Sequence, residues 1–148
     1  MNGNKNPSIF LADDDEDDCV LFRDALKELG QGVELIISYD GEELMKKLRE
    51  RVPPEPQVIF LDLNMPRKNG LECLQEIKQT QKLRNIPVVI LSTSSLEDSI
   101  VESYANGASH YITKPGTYSM LKKTIQKVLA IDWSTRAHVP FDKFLLQP

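Results

Sequence analysis

Short apolar runs alternate with longer amphipathic stretches along the chain. The runs cover residues 8–12, 33–39, 57–62, 87–92 and 109–113, and most are rich in Ile, Val, Leu or Phe. Val58-Ile59-Phe60-Leu61 and Val88-Val89-Ile90-Leu91 are continuous instead of alternating. Strands apolar on both faces belong to a parallel sheet covered by helices on each side. Between the runs the period becomes helical. Cys19, Phe22, Leu26 and Leu29 form one stripe, with Gly30 placed to stop the helix. Leu44 and Leu48 mark a second helix that ends before Pro53-Pro54. Leu71, Leu74 and Ile77 mark a third, stopped before Pro87. Ile100, Tyr104 and Ala108 mark a fourth, ended by Asn106-Gly107. Leu121, Ile125, Val128 and Leu129 mark a fifth.

A strand–helix unit repeated five times is an α/β domain with a parallel sheet. Right-handed crossovers leave few windings, and the five-stranded one is the flavodoxin-like order 2-1-3-4-5, a three-layer (βα)5 sandwich. Ligands of such sheets bind outside the carboxyl ends of the strands near the switch point. That rule selects Asp13, Asp14, Asp62, Ser92 and Lys114. The expected domain covers residues 1–132, and 133–148 form a tail too short for a separate output domain.

Composition narrows the class. The chain has 148 residues, 41% hydrophobic and 27% charged, which suits one soluble globular domain. A net charge of −4 argues against direct nucleic-acid binding. No apolar run approaches a membrane span, and Met1 to Pro7 lack a signal peptide's order of basic then apolar residues. Cys19 and Cys73 fit no metal motif, sit on expected apolar helix faces, and suit a reducing, cytoplasmic setting.

Carboxylates crowded at strand ends require a cation or raised pKa values. Mg²⁺ suits a site with few protein ligands, because it keeps several waters and accepts a phosphate oxygen. Lys114 can hold another phosphoryl oxygen as a point charge, and the Ser92 hydroxyl can donate to a third. Asp15 fits a helix N-cap, and Glu16, Asp17 and Asp18 fit an acidic first turn that favours the helix dipole.

Several segments resemble the response-regulator receiver family over about residues 8–130. They are Ile9-Phe10-Leu11-Ala12-Asp13-Asp14, Asp62-Leu63-Asn64-Met65-Pro66 with Gly70, Leu91-Ser92, and Tyr111-Ile112-Thr113-Lys114-Pro115. The resemblance implies that Asp62 is the phosphoacceptor. It implies that Asp14 binds Mg²⁺ directly, Asp13 mostly through water, and Asn64 through its backbone carbonyl. Ser92 becomes the switch hydroxyl, Lys114 the phosphoryl-binding lysine, Tyr111 the rotating aromatic, and the bond between Lys114 and Pro115 cis. Thr93, Asn64 and Ser94 tune the lifetime of the phosphoryl group; Thr93 stands where many receivers have alanine. The implied donor is a sensor histidine kinase or histidine phosphotransfer protein. The implied protein is a stand-alone regulator, a signalling module and not an enzyme, similar to the phytochrome-associated type. Helix four, strand five and helix five form its implied signalling face.

Three other readings compete. A dehalogenase-type phosphatase needs a second Asp two residues after the acceptor, where this chain has Asn64. A flavin site conflicts with an acidic first loop. A pseudo-receiver acting without phosphorylation would lack an acid or the lysine, and none is lacking. Trp133, Phe141, Phe144, Leu145 and Leu146 make the tail apolar; either they pack on their own domain or they contact a second subunit in a homodimer.

Overall fold

The computed structural model describes residues 7–135 and 138–147. The rest of the N-terminal stretch and residues 136, 137 and 148 of the tail lie outside these. Five strands, β1 (Ser8–Ala12), β2 (Glu34–Ser38), β3 (Val58–Leu61), β4 (Val88–Ser92) and β5 (His110–Thr113), alternate with five helices. The helices are α1 (Glu16–Leu29), α2 (Gly41–Arg51), α3 (Gly70–Gln79), α4 (Glu97–Ala105) and α5 (Tyr118–Leu129). All pairings are parallel, in the order β2-β1-β3-β4-β5. This is the flavodoxin-like sandwich that the pattern predicts.

The continuous apolar strands divide their side chains between two cores. Phe10, Ile59, Leu61, Val88 and Ile90 face a core shared with Leu44, Leu48, Leu74 and Ile77 of α2 and α3. Ile9, Leu11, Val58, Phe60, Val89 and Leu91 face a second, built with Phe22 and Leu26 of α1 and Ile125 and Val128 of α5. A period of two inside an unbroken apolar run thus fills both faces.

Helix α1 starts at Asp15, whose carboxylate accepts the Asp18 N–H at 3.1 Å, and stops at Gly30 in the left-handed region at φ 65°. Asp15 is therefore the N-cap expected from sequence. Asn69 and Glu72 close a reciprocal capping box at the start of α3.

Three details differ from expectation. α3 ends at Gln79, and residues 80–86 form turns that bury Leu83 and Ile86. α4 ends at Ala105, so Ala108 lies past the helix; the turn at Gly107, φ 95°, redirects the chain into β5. The cis peptide bonds among the described residues are Val52–Pro53 and Pro53–Pro54, and the bond between Lys114 and Pro115 is not one of them. The β4–β5 register runs on through that segment, with the Lys114 N–H donating to the Ser92 carbonyl at 2.7 Å. The trans preference of an X–Pro bond is about 0.5–1 kcal/mol, so local context decides the isomer.

The tail packs on its own domain. Tyr111 N–H donates to the Phe144 carbonyl at 3.0 Å, and Leu146 N–H donates to the Tyr111 carbonyl at 2.9 Å. These bonds make a parallel bridge between Tyr111 and Leu145 on the free edge of β5. Phe144 is fully buried, and the Tyr104 ring meets His138 at 4.2 Å, Phe141 at 5.2 Å and Phe144 at 5.0 Å. The otherwise open sheet edge is covered by the chain's own end.

Candidate phosphoryl and metal site

Parallel register brings the acids together. Ala12 pairs with Leu61, so the next residues, Asp13 and Asp62, stand side by side at the carboxyl ends of β1 and β3. Their backbone is fixed too: Asp13 N–H donates to Ser38 and Asp62 N–H to Ala12, at 3.0 and 2.9 Å. Asp13 and Asp62 are buried while Asp14 is exposed, and one carboxylate oxygen from each lies within 4.8 Å of the others. Ser92 pairs with Thr113 between β4 and β5, which delivers Lys114 to the same edge.

Lys114 Nζ stands 2.8 Å from Asp13 Oδ2, 2.8 Å from Asp18 Oδ2 and 3.3 Å from Asp62 Oδ2. The other Asp62 oxygen, Oδ1, accepts the Asn64 N–H at 3.2 Å. The two oxygens of Asp62 are thereby distinguished: one holds its own loop and the other faces the ammonium. A cleft of about 110 Å³ opens beside Lys114, with Asp13, Asp18, Leu21, Pro115 and Tyr118 on its walls.

Gly70 makes the loop after β3 possible. A Cβ there would lie 2.2 Å from the Asp62 carbonyl oxygen and 2.6 Å from Leu63 Cα. The first turn of α3 can pack this tightly only without a side chain, and Gly70 N–H donates to the Leu63 carbonyl at 2.9 Å.

Electrostatics follow from burial. Desolvation pushes the Asp13 carboxyl up to about 6, although bonds from Lys114 and the Asp15 N–H pull the other way. Burial pulls the Lys114 ammonium down, but its bonds to Asp13 and Asp18 outweigh this and raise it, so it is charged at neutral pH. Burial pushes the Cys19 and Cys73 thiols up to about 12, which leaves both as inert packing groups.

The donor set fits a hard divalent cation: three convergent carboxylates, two buried and one open to solvent. Asp13, Asp14 and Asp62 would hold it, with the Asn64 carbonyl as the expected fourth contact.

Ser92, Ser94 and Tyr111 form a second linked group. Ser92 is fully buried and its Oγ accepts the Ser94 N–H at 3.1 Å. The fully buried Tyr111 donates its hydroxyl to the Ser94 carbonyl at 2.7 Å. Burial raises the Tyr111 pKa, and the charge of Asp62 adds to the effect. Thr93 and Asn64 are exposed at the ends of β4 and β3.

Sequence reasoning missed Asp18 as a member of the site, giving it only a helix-dipole role. Nothing local showed that Lys114, 96 residues away, would reach it.

The chain is similar to known proteins over most of its length. Residues 9–126 match the response regulator receiver domain family. The response regulator Rcp1 of Synechocystis sp. is 39% identical over 134 residues, covering 86% of this chain and 91% of that protein. The structure of the phosphorylated cyanobacterial phytochrome response regulator RcpA matches with a TM-score of 0.80 at 37% identity, over 92% of this chain and 99% of that one. The Mn²⁺-bound form of Rcp1 matches with a TM-score of 0.76 at 37% identity, over 90% and 99% of the two chains.

Proposed function

This chain belongs to the response regulator receiver family, and on that premise we propose that it is a stand-alone receiver phosphorylated on Asp62. The observation that carries the reading is the convergence of Asp13, Asp14 and Asp62 with the Lys114 ammonium 3.3 Å from Asp62 Oδ2. A phosphohistidine of a sensor histidine kinase or a histidine phosphotransfer protein is the donor. The Asp62 carboxylate attacks phosphorus in line with the leaving imidazole. The new O–P bond forms as the N–P bond breaks, and the imidazole takes up a proton. Asp62 needs no base, because the nucleophile is already an anion. Lys114 holds a phosphoryl oxygen and offsets its charge.

Asp13, Asp14, Asp62 and the Asn64 carbonyl would hold Mg²⁺, which would neutralise charge on the transferring group. That Rcp1 has an Mn²⁺-bound form supports the binding of a divalent ion. Ser92 then donates to the acyl phosphate; Tyr111 is already fully buried on the Ser94 carbonyl, so the shift between two existing states selects this inward position. Thr93, Asn64 and Ser94 border the phosphoryl group and set its lifetime. The chain signals and promotes only its own phosphorylation and dephosphorylation. It acts in the cytoplasm, and no helix among the described residues is long and apolar enough to cross a membrane. Phe141 and Leu145 stay exposed on the tail and are the proposed contact for a second copy.

Incubation with acetyl phosphate and Mg²⁺, followed by intact mass measurement, tests the reading. The wild type is expected to gain the mass of one phosphoryl group and Asp62→Asn none. No gain in the wild type would defeat it.

A further inference from the structure

Lys114 is divided among three carboxylates, of which only two belong to the metal-binding group. Asp13 and Asp62 are in that group, and Asp18 is not. A cation on Asp13 and Asp62 would compete for the same oxygens and repel the ammonium. The ammonium therefore needs an acceptor outside the group. Asp18 supplies one, 2.8 Å from Nζ and on the cleft wall formed by α1. Its place is fixed at the first turn of α1, where its own N–H is held by Asp15. Lys114 is fixed equally well by its N–H bond to Ser92 at 2.7 Å.

We propose that Asp18 is a positioning residue that holds the Lys114 ammonium beside the metal-binding carboxylates, so that ion and lysine occupy the site together. The proposal rests on the metal reading given above. The plainer account is that Asp18 serves only the helix dipole, as its exposed neighbours Glu16 and Asp17 do. The two accounts part on one point. A dipole or remote-charge effect is the same whether or not Lys114 is present; positioning requires Lys114.

A double-mutant cycle on Mn²⁺ affinity separates them. Calorimetric titrations would compare wild type, Asp18→Asn, Lys114→Gln and the double variant, each checked for its fold by circular dichroism. Asp18 is partly exposed, so Asp18→Asn should weaken Mn²⁺ binding by about fivefold with Lys114 present and by less than about twofold without it. Asp18→Glu should recover most of the loss. Lys114→Met replaces Lys114→Gln should the latter not fold. Equal losses in both lysine backgrounds, or no loss in either, would overturn the proposal while leaving the metal reading intact. A wild type that takes up no Mn²⁺ would overturn both.

Discussion

Replacing Phe144 by alanine tests how the tail is held. Phe144 is fully buried in the core beneath α4 and β5, with its ring 5.0 Å from Tyr104 and 6.3 Å from Tyr111. Truncating a buried Phe costs about 3–5 kcal/mol from lost transfer energy and the residual cavity. The main-chain bonds that link residue 144 and Leu146 to Tyr111 do not depend on the ring, so the variant's tail would not detach by default. The tail can also peel away from the edge of β5, which caps the loss at the free energy of docking. We therefore expect the lower end, about 3 kcal/mol, in urea unfolding at unchanged slope. Trp133 is the single tryptophan and lies 6.0 Å from His110, so its fluorescence reports the same region directly. A loss below about 1 kcal/mol, the level of an ordinary substitution, with unaltered Trp133 emission would refute a docked tail.

Gly70→Ala should cost about 1–3 kcal/mol by overpacking against the Asp62 carbonyl, and should weaken Mn²⁺ binding as the loop shifts; thermal melts and titration check both. Burial lowers the His110 pKa below 6.5, so the folded state binds fewer protons than the unfolded one just under that value. The contribution of neutral His110 is complete above pH 6.5 and is lost as pH falls through its folded value; urea midpoints should drop on acidification, and His110→Asn should flatten the drop. Tyr111→Phe deletes the 2.7 Å bond to the Ser94 carbonyl, which is only partly buried. It should cost about 0.5–1.5 kcal/mol, measured by chemical denaturation.

What was legible in the sequence depended on how local its cause was. β3 and β4 could be read because strands buried on both faces leave unbroken Val, Ile, Leu and Phe runs. Asp13 and Asp62 could be placed because they close such runs, and parallel register does the rest. α4 was harder to place. Its one fully buried residue is Ser103, whose hydroxyl bonds back to the Ser99 carbonyl, so its inner face carries little apolar signal. For the apolar tail, packing on the domain and contact with a second subunit both stayed open, since its partner is the distant edge of β5 and Phe144 is its one fully buried side chain among the described residues. Asp18 was hidden by its company: in a run of six acids, only the fold shows that Asp18 joins Asp13 at Lys114.

The chemistry at Asp62 is the central claim, and mapping the modified atom tests it most directly. Protein treated with acetyl phosphate and Mg²⁺ would be reduced with borohydride, which converts an aspartyl phosphate to homoserine, and then digested and sequenced by mass spectrometry. The account predicts homoserine in place of Asp62 alone, dependent on the divalent ion and lost in Lys114→Met. Homoserine in place of Asp13 or Asp14, or none anywhere in a protein that binds the ion, would contradict it.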